Sequence, residues 1–236
     1  MSGNLATSVA VLFACGCASV SAFAPSAVRS IPSMRAHTSV AMVAEVDATA
    51  ALLAEVAKPE RALDAIARHV RTLEAEPLPA TAGKWKRALG VDWRLEYAAD
   101  EAAVAPFLSG PSPGPFAVVE GVLHRFKSAG EFASIEVKRN FGPFGGNSKV
   151  QLCGRWSLDG DRVRWKASYM INAQSREVDP PSSAGMNEGR VTHVSSNLLL
   201  LRVPADSADG LLVFSKVKLK DALEELKVDA DDILVV

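Results

Sequence analysis

From Gly83 onward the sequence consists of short stretches in which apolar and polar residues alternate. One of them places Trp93, Leu95 and Tyr97 on one side and two charged residues on the other. A period of two is that of a β-strand with one buried face. About eight such stretches follow one another up to residue 217, and turn residues such as Asp159-Gly160 separate them. The pattern favours an antiparallel barrel or sandwich, and an eight-stranded barrel is just wide enough to enclose a small ligand.

Helical periodicity is confined to the two ends of this strand-rich region. Residues 46–57 are rich in Ala and Leu, and 60–76 repeat apolar residues at helical spacing until Pro77 interrupts them. A short helix is predicted over 219–226. The predicted fold class is mainly β, an antiparallel barrel of about eight strands with N-terminal helices and a short C-terminal helix. The predicted strands are 93–97, 116–126, 133–138, 149–156, 162–171, 191–194, 197–203 and 211–217, with a loop over 174–189.

The first 44 residues contain no Asp or Glu. Residues 5–22 are uncharged and end in small residues, as the apolar region of a signal peptide does. Residues 23–44 add Arg, Ser and Thr, the composition of a transit peptide. We therefore predict a signal peptide over 1–22 and a transit peptide over 23–44, with a retained membrane anchor as the alternative for 5–22. The further predicted divisions are a helical segment over 45–80, a barrel domain over 81–228 and an acidic tail over 229–236.

The junction Ser21-Ala22-Phe23-Ala24-Pro25 resembles the bipartite presequences of algae with secondary plastids. In those presequences a signal peptide leads into the endomembrane route, and a transit peptide that begins with Phe completes import. The resemblance implies a plastid protein, located in the stroma or peripheral to the thylakoid or plastoglobule. Beyond this leader the sequence has a single cysteine, Cys153, which fits a reducing compartment.

Two groups of residues at the ends of the strand-rich region resemble the plastid lipid-associated protein (fibrillin) family. The first is the Leu-Glu…Pro…Pro run at 73–80, followed by Gly-Lys-Trp at 83–85 and Trp-Arg-Leu-Glu-Tyr at 93–97. The second is Leu-Arg-Val at 201–203, with an Asp-Gly turn and Leu-Val-Phe at 212–214. The resemblance covers 46–217. It implies a lipocalin-like barrel at thylakoid or lipid-globule surfaces that binds an apolar lipid, a quinone or a pigment.

Composition and motifs argue against several other functions. The 26 basic and 27 acidic side chains leave a net charge of −1, which does not suit a nucleic-acid binder. His69, His124 and His193 lack the paired spacing of metal ligands, and Cys153 has no nucleophile signature around it. The glycine-rich stretch 142–149 lacks the Gly-Lys-Ser/Thr ending of a phosphate-binding loop. We expect a non-catalytic protein without cofactor or metal.

Apolar residues on the predicted strand faces are the candidates for lining a ligand cavity. Core packing explains these residues as well as ligand binding does, so both interpretations stay open. The candidates are Trp93, Leu95, Tyr97, Leu152, Trp156, Trp165 and Tyr169. A basic row on the opposite faces is either solvated surface or a contact for anionic lipid. The basic row consists of Arg155, Arg162, Arg164 and Lys166.

The predicted function is non-catalytic binding of an apolar lipid or isoprenoid inside the barrel, or coating of a plastoglobule or thylakoid surface. Two alternatives remain open. The first is a structural subunit or assembly factor of photosynthetic complexes, with a barrel filled by side chains. The second is a pigment- or lipid-modifying enzyme that uses an acid such as Glu96 or Glu120. The volume and chemistry of the interior discriminate among these functions.

Overall fold

The structure is a computed structural model that describes residues 48–110, 117–127, 129–141, 145–204, 206 and 209–228. The predicted leader over 1–44 and the acidic tail over 229–236 lie outside the described residues. Two helices come first, α1 over 48–56 and α2 over Leu63–Glu74. The face of α2 that carries Ile66, Val70 and Leu73 is buried, as its helical spacing predicts.

Antiparallel strands follow the helices and form a single sheet. They are β1 Asp92–Ala98, β2 Ala117–Phe126, β3 Glu131–Asn140, β4 Gly146–Asp159, β5 Arg162–Ile171, β6 Glu177–Val178, β7 Asn187–Val194, β8 Leu198–Arg202 and β9 Leu211–Val217. The predicted strands are present, and the two-residue strand β6 lies within the predicted loop over 174–189. Helix α5, Leu219–Glu225, confirms the predicted C-terminal helix.

The sheet closes into a barrel because β5 pairs with strands on both of its sides. It pairs with β4 along its length and with β7 through Arg162–Trp165. Since β1 lies between β2 and β9, the closed ring runs β1-β2-β3-β4-β5-β7-β8-β9, and β6 pairs with the end of β5. The predicted eight-stranded antiparallel barrel is confirmed.

The end of the barrel at which β1 begins and β2 ends is covered by a helix, and we call it the helix end. This helix is α3, Ala82–Leu89, whose Trp85 and Leu89 belong to the buried interior cluster. The indole Nε1 of Trp93 donates to the Leu89 carbonyl at 3.2 Å and fixes α3 to the first strand. The sequence did not predict α3. Only two of its eight residues are buried, which is too few to show a helical period.

The opposite end, at which β1 ends and β2 begins, is the loop end. Helix α4, Glu101–Val104, and a 3₁₀ turn, Ala105–Phe107, follow β1 there. A second 3₁₀ turn, Ser182–Ala184, precedes β7. Ala103, Phe107 and Ala184 are buried in the interior cluster, so these turns close the loop end. Elements of three or four residues carry no periodic signal, so the sequence did not predict them.

Helices also cover two parts of the outer surface of the barrel. Helices α1 and α2 pack on outward residues of β8 and β9, among them Leu200 and Val213. Helix α5 packs on outward residues of β2 and β3, where Ile135 and Val137 meet Leu223. Strands covered on both faces read as continuous apolar runs, and β8 accordingly begins with four Leu residues. Among the described helices, none is long and apolar enough to span a lipid bilayer.

Four register shifts interrupt the described strand pairings, and two of them change which of the predicted lining residues point inward. The pairing of β1 with β9 shifts between Leu95 and Tyr97, and the pairing of β5 with β4 shifts between Ala167 and Tyr169. An extra residue in one strand reverses the alternation beyond it. Side chains that a strict period of two places on one face therefore lie on opposite faces.

Gly154 of β4 lies at the bulge between β4 and β5, where the β5 backbone comes very close to this glycine. A Cβ atom added at Gly154 would lie 2.0 Å from the Lys166 carbonyl oxygen and 2.7 Å from the Phe132 ring. We expect Gly154→Ala to lower the free energy of unfolding in urea by about 3 kcal/mol. Gly146→Ala is the matched control in the same strand, because nothing lies within 4 Å of its added Cβ atom. Equal losses in the two variants would contradict close packing at the bulge.

Candidate functional site

The interior of the barrel is lined mainly by aromatic and aliphatic side chains. Of the seven predicted lining residues, five belong to the buried interior cluster or pack directly against it: Trp93, Leu95, Leu152, Trp156 and Trp165. The indole N–H of Trp156 donates to the Lys127 carbonyl at 2.8 Å, near the helix end. These positions lie on the unbroken parts of their strands, where alternation alone predicts the inward face correctly.

Tyr97 does not line the interior. It pairs with Val213, which packs under α1 and α2 on the outer surface. Residues directly opposite each other in an antiparallel pair point to the same face, so Tyr97 also points outward. The guanidinium of Arg61 lies 5.5 Å from the centre of its ring. The predicted interior position is wrong because the bulge after Leu95 reverses the face of β1.

Tyr169 also lies on the outer face, for the same reason. It pairs with Cys153, the neighbour of the inward-facing Leu152, and the bulge at Ala167 has reversed the face of β5. Burial, together with a hydrogen bond to Cys153, raises the pKa of Tyr169 to about 12. Burial likewise raises the pKa of the Cys153 thiol, which accepts a hydrogen bond from the Gln151 amide at 3.1 Å. A buried, protonated thiol is a packing group and a poor nucleophile.

The polar face of β3 points into the barrel. Ser134 pairs with the interior residue Leu152, and Glu136 pairs with Val150 two residues further along the same face. The side chains of both Ser134 and Glu136 are almost fully buried, whereas Ile135 on the other face lies under α5. The alternation in the sequence did not indicate that Glu136 faces the interior. A period of two separates the two faces of a strand but cannot tell which is inside when a helix covers the other.

The inward side chains of β3 hold the connection between β1 and β2. The Ser134 hydroxyl donates to the Phe107 carbonyl at 2.9 Å, and the Ser109 backbone N–H donates to the Glu136 carboxylate at 2.8 Å. The Ser109 hydroxyl also bonds Glu136, and the Lys138 ammonium donates to that hydroxyl at 3.0 Å. Lys138 and Glu136 form an ion pair at 3.3 Å. We call residues 101–109 the plug segment, because these contacts hold it inside the loop end.

Phe107 of the plug segment lies in the middle of the interior aromatic residues. Its ring is stacked on Trp165, with centroids 5.0 Å apart and an interplanar angle of 29°. It meets the His124 ring edge-to-face at 4.8 Å and the Phe214 ring at 6.0 Å. Only 1% of Phe107 is exposed. The plug segment therefore contributes a central part of the core as well as closing one end.

His124 is an inward residue of β2 among phenylalanine rings. Only 2% of it is exposed, and the centroids of Phe126, Phe107 and Phe132 lie 4.3, 4.8 and 5.7 Å from its own. Neither Nδ1 nor Nε2 has a hydrogen-bond partner among the described residues. Burial lowers the pKa of His124 from 6.5 to about 3, so the ring is neutral at physiological pH. A neutral imidazole offers one N–H donor and one acceptor lone pair.

Trp165 provides a further unpaired group in the same place. Its indole N–H is buried and has no partner in the part of the chain that the structure describes, unlike those of Trp93 and Trp156. A buried polar group without a partner costs about 1–3 kcal/mol. The ring of Phe107 touches both Trp165 and His124 but offers neither of them a conventional acceptor. This pair of orphaned side chains is the chemical feature that most distinguishes the interior.

The basic row is divided by ion pairing. Arg162 donates to the Glu188 carboxylate at 2.5 Å, and Arg164 also bonds Glu188. These bonds hold the pKa of Glu188 below its ordinary value. Arg155 and Lys166 are exposed directly opposite each other, and neither forms an ion pair within the described ranges. The row is thus two neutralised arginines beside two exposed cations rather than a uniform basic surface.

The two acids considered for an enzyme lie on the outside of the barrel. Glu96 accepts a hydrogen bond from the outward Ser215 hydroxyl at 2.5 Å, and Glu120 forms an ion pair with Arg139 at 2.9 Å. Neither carboxylate faces the interior aromatic residues, so neither can act on a molecule held there. Within the described ranges, no group of three or more His, Cys, Asp or Glu side chains is placed to hold a metal ion.

No protein-family model matches the sequence, and no curated protein matches it. Among solved structures, the chain is similar to a lipocalin-like protein from Bacteroides uniformis, with 19% sequence identity and a TM-score of 0.30. The alignment covers 55% of this chain and 99% of that chain.

Replacement of His124 should change the dependence of stability on pH. Unfolding restores the pKa to about 6.5, so between pH 6.5 and 3 the unfolded chain binds a proton that the folded chain does not. Stability is therefore lost as the pH falls through this window, by about 1.4 kcal/mol per unit from this group. We expect His124→Phe to remove that slope and to be more stable at pH 7, because two unpaired nitrogen atoms disappear.

The measurement is urea denaturation at pH 7, 6, 5 and 4, with each variant compared with the wild type at the same pH. His69→Gln is the control, because it removes a histidine from the partly exposed face of α2, outside the barrel interior. A His124→Phe profile parallel to that of the wild type would show that His124 is not a buried neutral group.

Proposed function

We propose that this protein is a non-catalytic binder of a small apolar molecule, which it holds inside the β-barrel. The observation that carries this proposal is the closed barrel whose aromatic interior contains the unpaired nitrogen atoms of His124 and Trp165. Ligand sites in proteins combine an apolar lining with a small number of placed polar groups. An eight-stranded barrel is also the size that can hold one small molecule.

The proposed setting is a plastid, and the proposed family is that of the plastid lipid-associated proteins. The presequence-like segment around Phe23 and the motifs at 73–97 and 201–214 support this setting and family. On this proposal the ligand is a lipid or isoprenoid, and the protein acts in the stroma or at the periphery of a thylakoid or plastoglobule.

Exposed apolar side chains at the loop end support contact with a lipid surface. Val118 at the start of β2, Phe141 after β3 and Met186 before β7 are 40%, 51% and 70% exposed. Val178 of β6 is exposed beside the last residues of β5. Apolar groups gathered around one end of a barrel suit insertion into the interfacial region of a lipid layer. We propose that the loop end meets the lipid surface and that the ligand enters there.

A structural role in photosynthetic complexes is the second candidate, and one observation favours it. The plug segment places Phe107 in the middle of the interior, so the barrel is at least partly filled by its own side chains. On this reading the barrel presents surfaces to partner proteins and carries nothing inside. The two candidates differ in whether the interior accepts a ligand.

Binding of a fluorescent fatty acid tests the proposal. We expect saturable energy transfer from the interior tryptophans to cis-parinaric acid, with one molecule bound per chain. Ala167→Leu should weaken this binding at least about tenfold because Ala167 faces the interior. Ser168→Leu is the matched control, since the neighbouring Ser168 is exposed, and it should bind as the wild type does.

Native mass spectrometry of the protein purified from its own cells gives a second readout, and we expect a co-purified apolar molecule. Failure of both measurements, with no saturable transfer and no retained small molecule, would overturn ligand binding and favour the structural role. An equal effect of Ala167→Leu and Ser168→Leu would place the bound fatty acid outside the barrel.

The proposed destination is tested separately. Residues 1–44 fused to a fluorescent protein should enter the plastid when expressed in an alga with a secondary plastid. The variant Phe23→Ala should stop in the endomembrane system, because the resemblance assigns import to the aromatic residue after the first cleavage site. Ser26→Ala in the same segment is the control and should enter the plastid. Secretion or cytosolic retention of the wild-type fusion would contradict the plastid setting.

A further inference from the structure

Phe107 differs in origin from the other large side chains of the interior. Trp93, His124, Trp165 and Phe214 project from strands of the barrel, whereas Phe107 ends a 3₁₀ turn in the plug segment. Its position depends on contacts from β3, the hydrogen bond from Ser134 to its carbonyl and those between Glu136 and Ser109. These contacts link the connection between β1 and β2 to the inward side chains of β3. They are not among the strand pairings that close the barrel. The ring could therefore leave the interior without breaking the pairing of any strand.

The Phe107 ring has no polar atom, whereas two of its neighbours have nitrogen atoms that lack hydrogen-bond partners among the described residues. The ring is stacked on Trp165 and meets His124 edge-to-face, and these are the two interior side chains with unpaired nitrogen atoms. A benzyl group fills the space between them by shape but has no oxygen or nitrogen to bond with either. Buried polar groups in folded proteins are nearly always paired, so an unpaired set around one ring indicates a missing partner.

The unpaired groups favour an acceptor over a donor. The Trp165 indole is a donor only, and a neutral His124 adds one N–H beside one acceptor lone pair. The two side chains together therefore offer two N–H donors and one acceptor lone pair. A carbonyl oxygen has two lone pairs and no hydrogen, so a single carbonyl can accept from both N–H groups or from either one. A flat ring attached to it can stack on Trp165 as the Phe107 ring does.

We propose that the space occupied by Phe107 is the ligand site, and that a planar conjugated ring bearing a carbonyl oxygen displaces Phe107 and accepts hydrogen bonds from Trp165 and His124. This inference rests on the proposed function of ligand binding and names the part of the ligand that is recognised. In the free protein the benzyl group of Phe107 occupies the space that the ring of the ligand takes when it binds. Binding exchanges one ring for another and supplies the missing acceptor.

The test uses Phe107→Ala, which vacates a benzyl-sized space, and two probes of the same shape. Acetophenone carries a ring and a carbonyl, whereas ethylbenzene carries the ring alone. We expect calorimetry to show that Phe107→Ala binds both probes, with acetophenone bound about tenfold more tightly, the factor for one net hydrogen bond of about 1.4 kcal/mol. In Phe107→Ala combined with His124→Phe, this preference should decrease or disappear.

Leu223→Ala is the control for cavities in general. Leu223 of α5 is buried against the outer surface of the barrel, and its described cluster is apolar and contains no unpaired nitrogen atom. A cavity there should bind the two probes without preferring the carbonyl. A third probe, 1-phenylethanol, distinguishes acceptor from donor recognition, and binding tighter than that of acetophenone would overturn the assignment of a carbonyl.

Hydrogen exchange in the wild type keeps the test independent of the variant's folding. Acetophenone at saturating concentration should speed up exchange of the backbone amides in the plug segment, since Phe107 must leave, while the amides of β8 stay unchanged. Equal affinity of Phe107→Ala for acetophenone and ethylbenzene would overturn the proposed recognition and leave ligand binding intact. Saturation of the wild type with slower or unchanged exchange in the plug segment would overturn displacement. Absence of binding of cis-parinaric acid and of every probe would instead remove the proposed function itself.

Discussion

Closure of the sheet excludes water from the interior, and the rest of the structure depends on that exclusion. Each strand of the ring has a neighbour on both sides, so a polar atom inside must find its partner in the protein or in a bound molecule. Trp93 and Trp156 find backbone carbonyls near the helix end, and Glu136 finds the Ser109 backbone at the loop end. Among the described residues that face the interior, His124 and Trp165 do not.

The two ends of the barrel are closed in physically different ways. At the helix end, the complete helix α3 buries Trp85 and Leu89 and accepts a hydrogen bond from Trp93. At the loop end, the plug segment is mostly 3₁₀ turn and short helix, and polar contacts from β3 hold it. The plug segment belongs to no strand, so it can open locally without breaking the pairing of any strand. Exposed apolar groups surround that same end, so the plug segment and the exposed apolar surface coincide there.

The sequence predicted the class of fold and most of the strands, because alternation and turn residues are local signals. It predicted the inward faces of Trp93, Trp156 and Trp165, which lie before or away from the bulges. It failed for Tyr97 and Tyr169, because a bulge is set by backbone pairing with another strand and leaves no mark in the alternation. The sequence also did not identify the central residues of the site, for related reasons. The position of Phe107 depends on partners on β3, distant in sequence, and His124 resembles any other histidine on a strand.

Strand β3 places its polar side chains inside the barrel and its apolar side chains outside, and this arrangement also determines its pairing register. Ser134, Glu136 and Lys138 require the plug segment opposite them, while Ile135 and Val137 require the apolar surface of α5. Slippage by one residue would bury a carboxylate and an ammonium against α5 and leave the plug segment without its hydrogen-bond partners. Two unlike surfaces thus select the same alignment independently. A misaligned β3 would therefore lose its contacts on both faces of the sheet at once.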